Sequence, residues 1–208
     1  MVEFWHLHIQ YFNAFSREID IRRFDLNPAN NAPDFDLLAS AANYIRKDLE
    51  KDYAAWGNSP FEWILKLPAG SKGKLGKHLV YQWCAVKGLS VDRSPDSQAD
   101  MLVNGHRIEV KFSTLWKSGI YKFQQVRNQN YEYAICMGIS PFEAHCWVVS
   151  KGLLLKHVIG HMGQHTGVLG QDTAWITVDP KQPLDWLNAC GGRLDQAFER
   201  LKGLKRKA

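Results

Sequence analysis

Asp100, Glu109 and Lys111 are the residues whose types and spacing carry chemistry in this chain. Asn104-Gly105, the dipeptide most characteristic of a tight type I′ turn, lies between two strand-like runs, Asp100 to Val103 and His106 to Ser113. With these two as turn residues, Val103 pairs with His106, Met101 faces Ile108 and Asp100 faces Glu109. Side chains alternate along a strand, so Met101, Val103, Ile108, Val110 and Phe112 form one apolar face that belongs in a core. Asp100, Glu109 and Lys111 fall on the other face, with Leu102 and Arg107. Two carboxylates directly across an antiparallel pair have Cβ atoms about 4.5–5.5 Å apart. Left alone they repel, and desolvation raises at least one pKa. A hard divalent cation removes the conflict, because magnesium takes oxygen ligands, typically one or two carboxylates plus water and phosphate. The backbone carbonyl of Val110 is a further candidate ligand. The Lys111 ammonium is placed to orient or deprotonate an attacking water, or to stabilise charge on a phosphate under attack. A solvated hairpin with a charged outer face is the plain alternative; the strand-like flanks, with helices before and after to cover a sheet, weigh against it.

The elements that must hold this hairpin are legible in outline. Phe35, Leu38, Ala42, Ile45, Leu49 and Tyr53 recur at helical spacing from Asp34 to about Trp56. Asn58-Ser59-Pro60 stops that helix and opens a short one around Phe61 to Leu67, which Pro68-Ala69-Gly70 breaks. A third runs to about Lys87, with Leu75, Leu79, Trp83 and Val86 on one face and Gly88 as its stop. After a short strand at Leu89 to Val91 and the hairpin come a short helix near Phe123 to Asn128 and strands at Tyr131 to Ile139 and His145 to Val149. A helix over Lys151 to Ile159, a Gly- and His-rich loop, a strand over Ala174 to Val178 and helices near Leu184 and from Arg193 to Leu204 complete the chain. This order predicts an α/β fold with a mixed central sheet flanked by helices and an N-terminal helical region. It reads as one domain: an arm and helix over 1–58, a catalytic core over 59–150, and a C-terminal part over 151–208 that completes the fold.

Asp100-x8-Glu109-Val110-Lys111, preceded by Gly73-Lys74-Leu75-Gly76 opening a helix that ends at Lys87-Gly88, resembles the PD-(D/E)XK nuclease superfamily over about residues 60–150. That superfamily includes many type II restriction endonucleases, repair nucleases and junction resolvases. The resemblance implies a restriction-endonuclease-like core, with Asp100 and Glu109 binding magnesium (one or two ions per site) and Lys111 as the active-site lysine. Many relatives also carry a glutamate in the helix before the hairpin, near Gly76-Lys77, where this chain has lysine. Glu62 on the preceding short helix and Asp96 are candidates to replace it.

Candidate DNA contacts follow the hairpin. Gln and Asn match adenine edges, and Arg matches guanine, in the major groove. That makes Gln124, Gln125 and Arg127 candidates to read bases, against the plain alternative of a surface helix docked through Phe123 and Val126. In many similar nucleases the helix at this position presents a glutamine or basic residue to the active site. Ser113, Thr114, Lys117 and Lys122 are candidate phosphate contacts, which position without specifying. His157, His161 and His165 invite a zinc reading, but Gly160, Gly163 and Gly167 oppose a helix and no nearby acid or cysteine completes the set. A polar loop that brings Gln164 and His165 to DNA is a more attractive reading than zinc, with an inert surface loop as the plain alternative.

Composition sets the frame. The chain has 208 residues, 45% hydrophobic, a formal charge of +5 and four cysteines without a Cys-x-x-Cys pair. No apolar run is long enough to span a bilayer, and no signal-peptide pattern opens the sequence. The expected setting is a reducing cytoplasm with buried thiols. Basic residues cluster: Lys66, Lys72, Lys74 and Lys77 without an acid between Lys66 and His78, and Arg107, Lys111, Lys117, Lys122 and Arg127 against Glu109 alone. These surfaces suit double-stranded DNA as partner. There is no P-loop for a motor, and cutting both strands calls for a homodimer. A sequence-specific type II restriction enzyme is the leading expectation. A structure-specific repair nuclease or junction resolvase, and a non-catalytic DNA-binding protein with a degenerate site, are the alternatives.

Overall fold

The computed structural model describes residues 33–162 and 173–207. The chain divides after Ala54 into two compact units. In the first, α1 (Pro33–Tyr53) carries the expected helix, with Lys51 in its last turn and Arg46 paired to Glu50 one turn on at 3.4 Å.

The second unit is built on a six-stranded mixed sheet in the order β1-β2-β3-β5-β6-β8. Its strands are β1 (Val91–Arg93), β2 (Met101–Val103), β3 (His106–Thr114), β5 (Tyr133–Ile139), β6 (Ala144–Ser150) and β8 (Gly191–Arg193). All neighbours are antiparallel except β3 and β5, which run parallel from Ile108↔Tyr133 to Thr114↔Ile139. A separate two-stranded ribbon joins β4 (Tyr121–Val126) to β7 (Ala174–Val178). The helices are α2 (Glu62–Leu65), α3 (Ala69–Val86), α4 (Lys151–His157), α5 (Asp185–Asn188) and α6 (Leu194–Lys202). The mixed sheet flanked by helices is the expected architecture.

Alternation along the strands splits the core in two. On one face Met101, Val103, Ile108, Val110, Ile135, Met137, Cys146 and Val148 meet Val80 and Cys84 of α3 and Ala197 and Leu201 of α6. On the other, Ala134, Cys136, Trp147 and Val149 meet Tyr121, Phe123 and Ile176 of the ribbon, Leu154 of α4 and Leu187 of α5. Gly138 admits the ribbon, since a Cβ there would stand 2.7 Å from the Tyr121 ring. All four cysteines are free and buried, and burial pushes the thiols of Cys84 and Cys136 up to about 12, so neither is a nucleophile.

Several local expectations need correction. The segment expected as a helix near Phe123 to Asn128 is strand β4, and β8 went unforeseen. The short first strand begins at Val91 rather than Leu89. The buried stripe of α3 is Gly76, Val80 and Cys84, while Val86 faces solvent; small residues win because the helix lies close on the sheet. Trp63 on α2 is exposed despite its size. Among the described residues no helix is long and apolar enough to cross a membrane.

Candidate active site

Over β2 and β3 the hairpin has the register its turn dictates, but the expected pairing of Asp100 with Glu109 is not part of it, because the paired strand begins at Met101. Asn104 (φ 51°) and Gly105 (φ 79°) both lie in the left-handed region that a type I′ turn requires, and Met101↔Ile108, Leu102↔Arg107 and Val103↔His106 are paired. Asp100 sits immediately before β2, where its N–H still donates to the Ile108 carbonyl at 2.8 Å. Its side chain then turns to β3, and Oδ2 accepts from the Val110 N–H at 2.8 Å. A residue's N–H and C=O point to the same side of a strand. The Val110 carbonyl therefore also faces this edge, beyond the last rung of the β2–β3 ladder.

Glu109 and Lys111 are two residues apart on β3, and their side chains meet: Lys111 Nζ lies 2.7 Å from Glu109 Oε1, both largely buried. Burial dominates at Glu109 and raises its pKa above the usual carboxylate value. The Lys111 ammonium and its hydrogen bond pull the other way, and the Asp100 charge adds to the rise. Lys77 of α3 acts on Glu109 as well, and pairs directly with Asp100 Oδ1. Two acids and two lysines thus share one pocket of charge, with Asp100 and Glu109 both about 9% exposed.

Close approach of α3 makes the Lys77 contact possible. Gly76 packs against Phe112 of β3, and a Cβ at Gly76 would overlap that side chain. The helix can settle this deeply only without a side chain there, and its next residue then reaches the hairpin edge. The position where the sequence resemblance leads one to expect a glutamate therefore lies beside Asp100, and it is occupied here by an amine.

Other expected residues distribute less evenly. Glu62 pairs at 3.6 Å with Lys66, just past the end of its helix, and it is not among the charged groups that act on Glu109. Asp96 is bound by Arg107 and by the Gln98 N–H. Ser113 is buried; its hydroxyl donates to the Thr114 carbonyl at 2.9 Å and accepts the Lys122 N–H at 3.0 Å, so it ties β3 to β4. Thr114 ends β3 half-buried. Lys117 is exposed in the turn between those strands, and the Lys122 ammonium lies 4.0 Å over the Trp116 ring. Gln124, Gln125 and Arg127 are exposed as a group, because the ladder of β4 with β7 slips between Phe123 and Val126 and Gln125 adopts φ 56°. His157 stacks on Trp186 with centroids 4.9 Å apart. Gln164 and His165 lie outside the described residues. Among the described residues no group of three or more His, Cys, Asp or Glu is placed to hold a metal.

Two neighbours escaped sequence reading. Lys151, at the start of α4, donates to the Gln129 carbonyl and lies 4.1 Å over the Tyr131 ring, with its pKa lowered by burial and raised in part by Glu109. Tyr131 is buried, and its hydroxyl, pushed up by desolvation and by Glu109, donates to the Arg127 carbonyl at 2.8 Å. The parallel β3–β5 pairing, with β6 alongside β5, brings them near Glu109, and a parallel register has no turn to announce it.

No family model matches the chain, and no curated protein matches it. Among solved structures, a bacterial homing endonuclease is similar with a TM-score of 0.43 and 13% identity, over 68% of this chain and 99% of that one. At that distance the likeness carries no argument.

Proposed function

We propose that this chain is a magnesium-dependent endonuclease that hydrolyses phosphodiester bonds of double-stranded DNA. The observation that carries the reading is the convergence of Asp100, Glu109 and Lys111 on one edge of the hairpin, with Lys111 2.7 Å from Glu109. The donor set fits one hard cation: two carboxylates plus the Val110 carbonyl, all oxygen, with the remaining positions left to water and phosphate. Asp100, Glu109 and Val110 would hold it. Magnesium at such a site supplies Lewis acidity and lowers the pKa of water.

The chain's own residues supply the rest. Burial of Glu109 keeps its carboxylate poorly hydrated, so the negative charge is available to a ligand or proton rather than spent on solvent. The hydrogen bond from the Val110 N–H fixes the Asp100 carboxylate in orientation. Lys111, held by Glu109, presents a proton and a positive charge where charge develops on a phosphate under attack. Exposed Lys66, ahead of α3, and Lys74, on the helix that reaches Asp100, offer phosphate contacts. The bulged ribbon presents Gln124 and Gln125, with Arg127 beside it, as readers of base edges; a two-stranded ribbon fits the major groove.

Within this class we favour a sequence-specific, type II restriction-like enzyme, acting as a homodimer so that two centres meet two strands. Plasmid and phage DNA incubated with magnesium tests it. Discrete fragments from wild type, none from Asp100→Ala and none with chelator support the reading; nicks confined to branched DNA favour a repair nuclease or resolvase. Equal cutting by Asp100→Ala would remove the assigned centre, and salt-sensitive duplex binding without any cutting would make the chain a binding protein.

A further inference from the structure

We infer that Lys77 stands in for a second divalent cation, so that the centre takes up a single ion. This inference rests on the metal-dependent reading proposed above and concerns how many ions that site holds. A site for two cations must spread their charge over several anionic donors. Here the anionic donors are two, Asp100 and Glu109, and among the described residues no third acid, histidine or cysteine completes a group with them. Both carboxylates are already partnered by ammonium groups, Asp100 by Lys77 and Glu109 by Lys111.

The four charges cancel. One divalent ion would leave the cluster at +2, a charge that the scissile phosphate and its neighbours can meet; a second would leave it at +4 on the same two acids. Repulsion between two divalent ions held on the same two acids, already flanked by two ammonium groups, disfavours the second ion.

Location supports the same assignment. Lys77 approaches from α3, across the hairpin edge from Lys111 on β3, so the two ammonium groups are bound to different acids. Lys77 is about half exposed, and its contact with Asp100 is made by Oδ1, while Oδ2 is spoken for by Val110. A tethered ammonium there does by electrostatics what a second ion does, without a coordination shell, and does not dissociate under chelation. The Gly76–Phe112 contact sets the helix depth that holds it in place.

Manganese binding to the full chain, counted by loss of the free-ion electron paramagnetic resonance signal, tests the inference without reference to cleavage. The expected stoichiometry is one ion per chain for wild type, two for Lys77→Glu, and one for Lys77→Met with several-fold tighter affinity. Circular dichroism confirms that each variant is folded, which a half-exposed position permits. Two ions on wild type, or one on Lys77→Glu, would overturn the role given to Lys77. No ion on wild type but one on Lys77→Glu would also overturn it, showing a lysine that blocks the site. No ion on any of the three would defeat the metal-dependent reading itself, and the inference with it.

Discussion

Gly76 of α3 lies against Phe112 of β3, at a separation that leaves no room for a methyl group. One residue later Lys77 meets Asp100. The helix depth and the ion pair are thus one arrangement.

Gly76→Ala should therefore disturb the site as well as the fold. Overpacking costs about 1–3 kcal/mol, and the gain in helix propensity returns about 1 kcal/mol. A fall in Tm of several degrees is expected, with a loss of DNA cleavage greater than the loss of folded protein explains. Thermal melts and cleavage rates at a temperature where both proteins are folded provide the check; an unchanged Tm would show that α3 can slide outward freely.

Metal-free stability should carry the signature of Glu109. Its folded pKa is raised above the unfolded value, mainly by burial. A raised folded pKa means the native state binds more protons, so this contribution to stability is full below the unfolded pKa and is lost as pH rises through the folded one. Glu109→Gln lacks that loss. Its stability relative to wild type should therefore increase as pH is taken from about 4.5 towards neutrality, measured by denaturant melts with chelator present. A relative stability that declines over that range would contradict the burial argument.

Gln125 should show opposite effects on stability and on recognition. A left-handed conformation in a residue with a side chain costs about 1–3 kcal/mol, and glycine relieves it while giving back about 0.5–1 kcal/mol of backbone entropy. Gln125→Gly is expected to melt at the same temperature as wild type or higher. On the proposed reading it loses discrimination among duplex sequences, on the order of tenfold for one bidentate contact. Competition binding against a panel of duplexes would show this, and retained selectivity would mean the bulge serves only packing.

Lys74 should act through phosphate alone. Lys74→Ala is expected to weaken duplex binding equally for all sequences and to reduce the slope of log affinity against log salt by about 1. Sequence-dependent weakening would place this lysine at base edges instead.

What could be read ahead of the coordinates was what is local. Asn104-Gly105 and strict alternation announced the β2–β3 register and the neighbouring of Glu109 and Lys111, whereas Asp100, just before β2, turns its carboxylate to the Val110 N–H instead of completing a paired rung with Glu109. The ribbon was misread for a physical reason. The bulge between Phe123 and Val126 puts two buried residues three apart, the same spacing a helix would produce, so a strand imitated a helical period. The face of α3 was read in part: Leu79 and Trp83 do pack against the core, but Val86 is exposed and the fully buried stripe is the small-residue one of Gly76, Val80 and Cys84 that close approach selects. β8 is hidden because Gly191 and Gly192 have no strand propensity; Gly191 fits because a Cβ there would meet the Cys146 carbonyl oxygen at 2.5 Å. Lys151 and Tyr131 reach Glu109 only through pairing distant in sequence. The Lys77 position was marked as a departure from the nuclease pattern; that it contacts Asp100 needed three dimensions.

The most direct test separates binding from chemistry at Lys111. Duplex affinity of wild type and Lys111→Ala, measured with calcium in place of magnesium, should agree within a few-fold. With magnesium, single-turnover cleavage by Lys111→Ala should fall by about 100-fold or more, the scale seen when one preorganised charge-stabilising donor is removed. Cleavage at the wild-type rate by a folded Lys111→Ala protein would contradict the assignment of this centre.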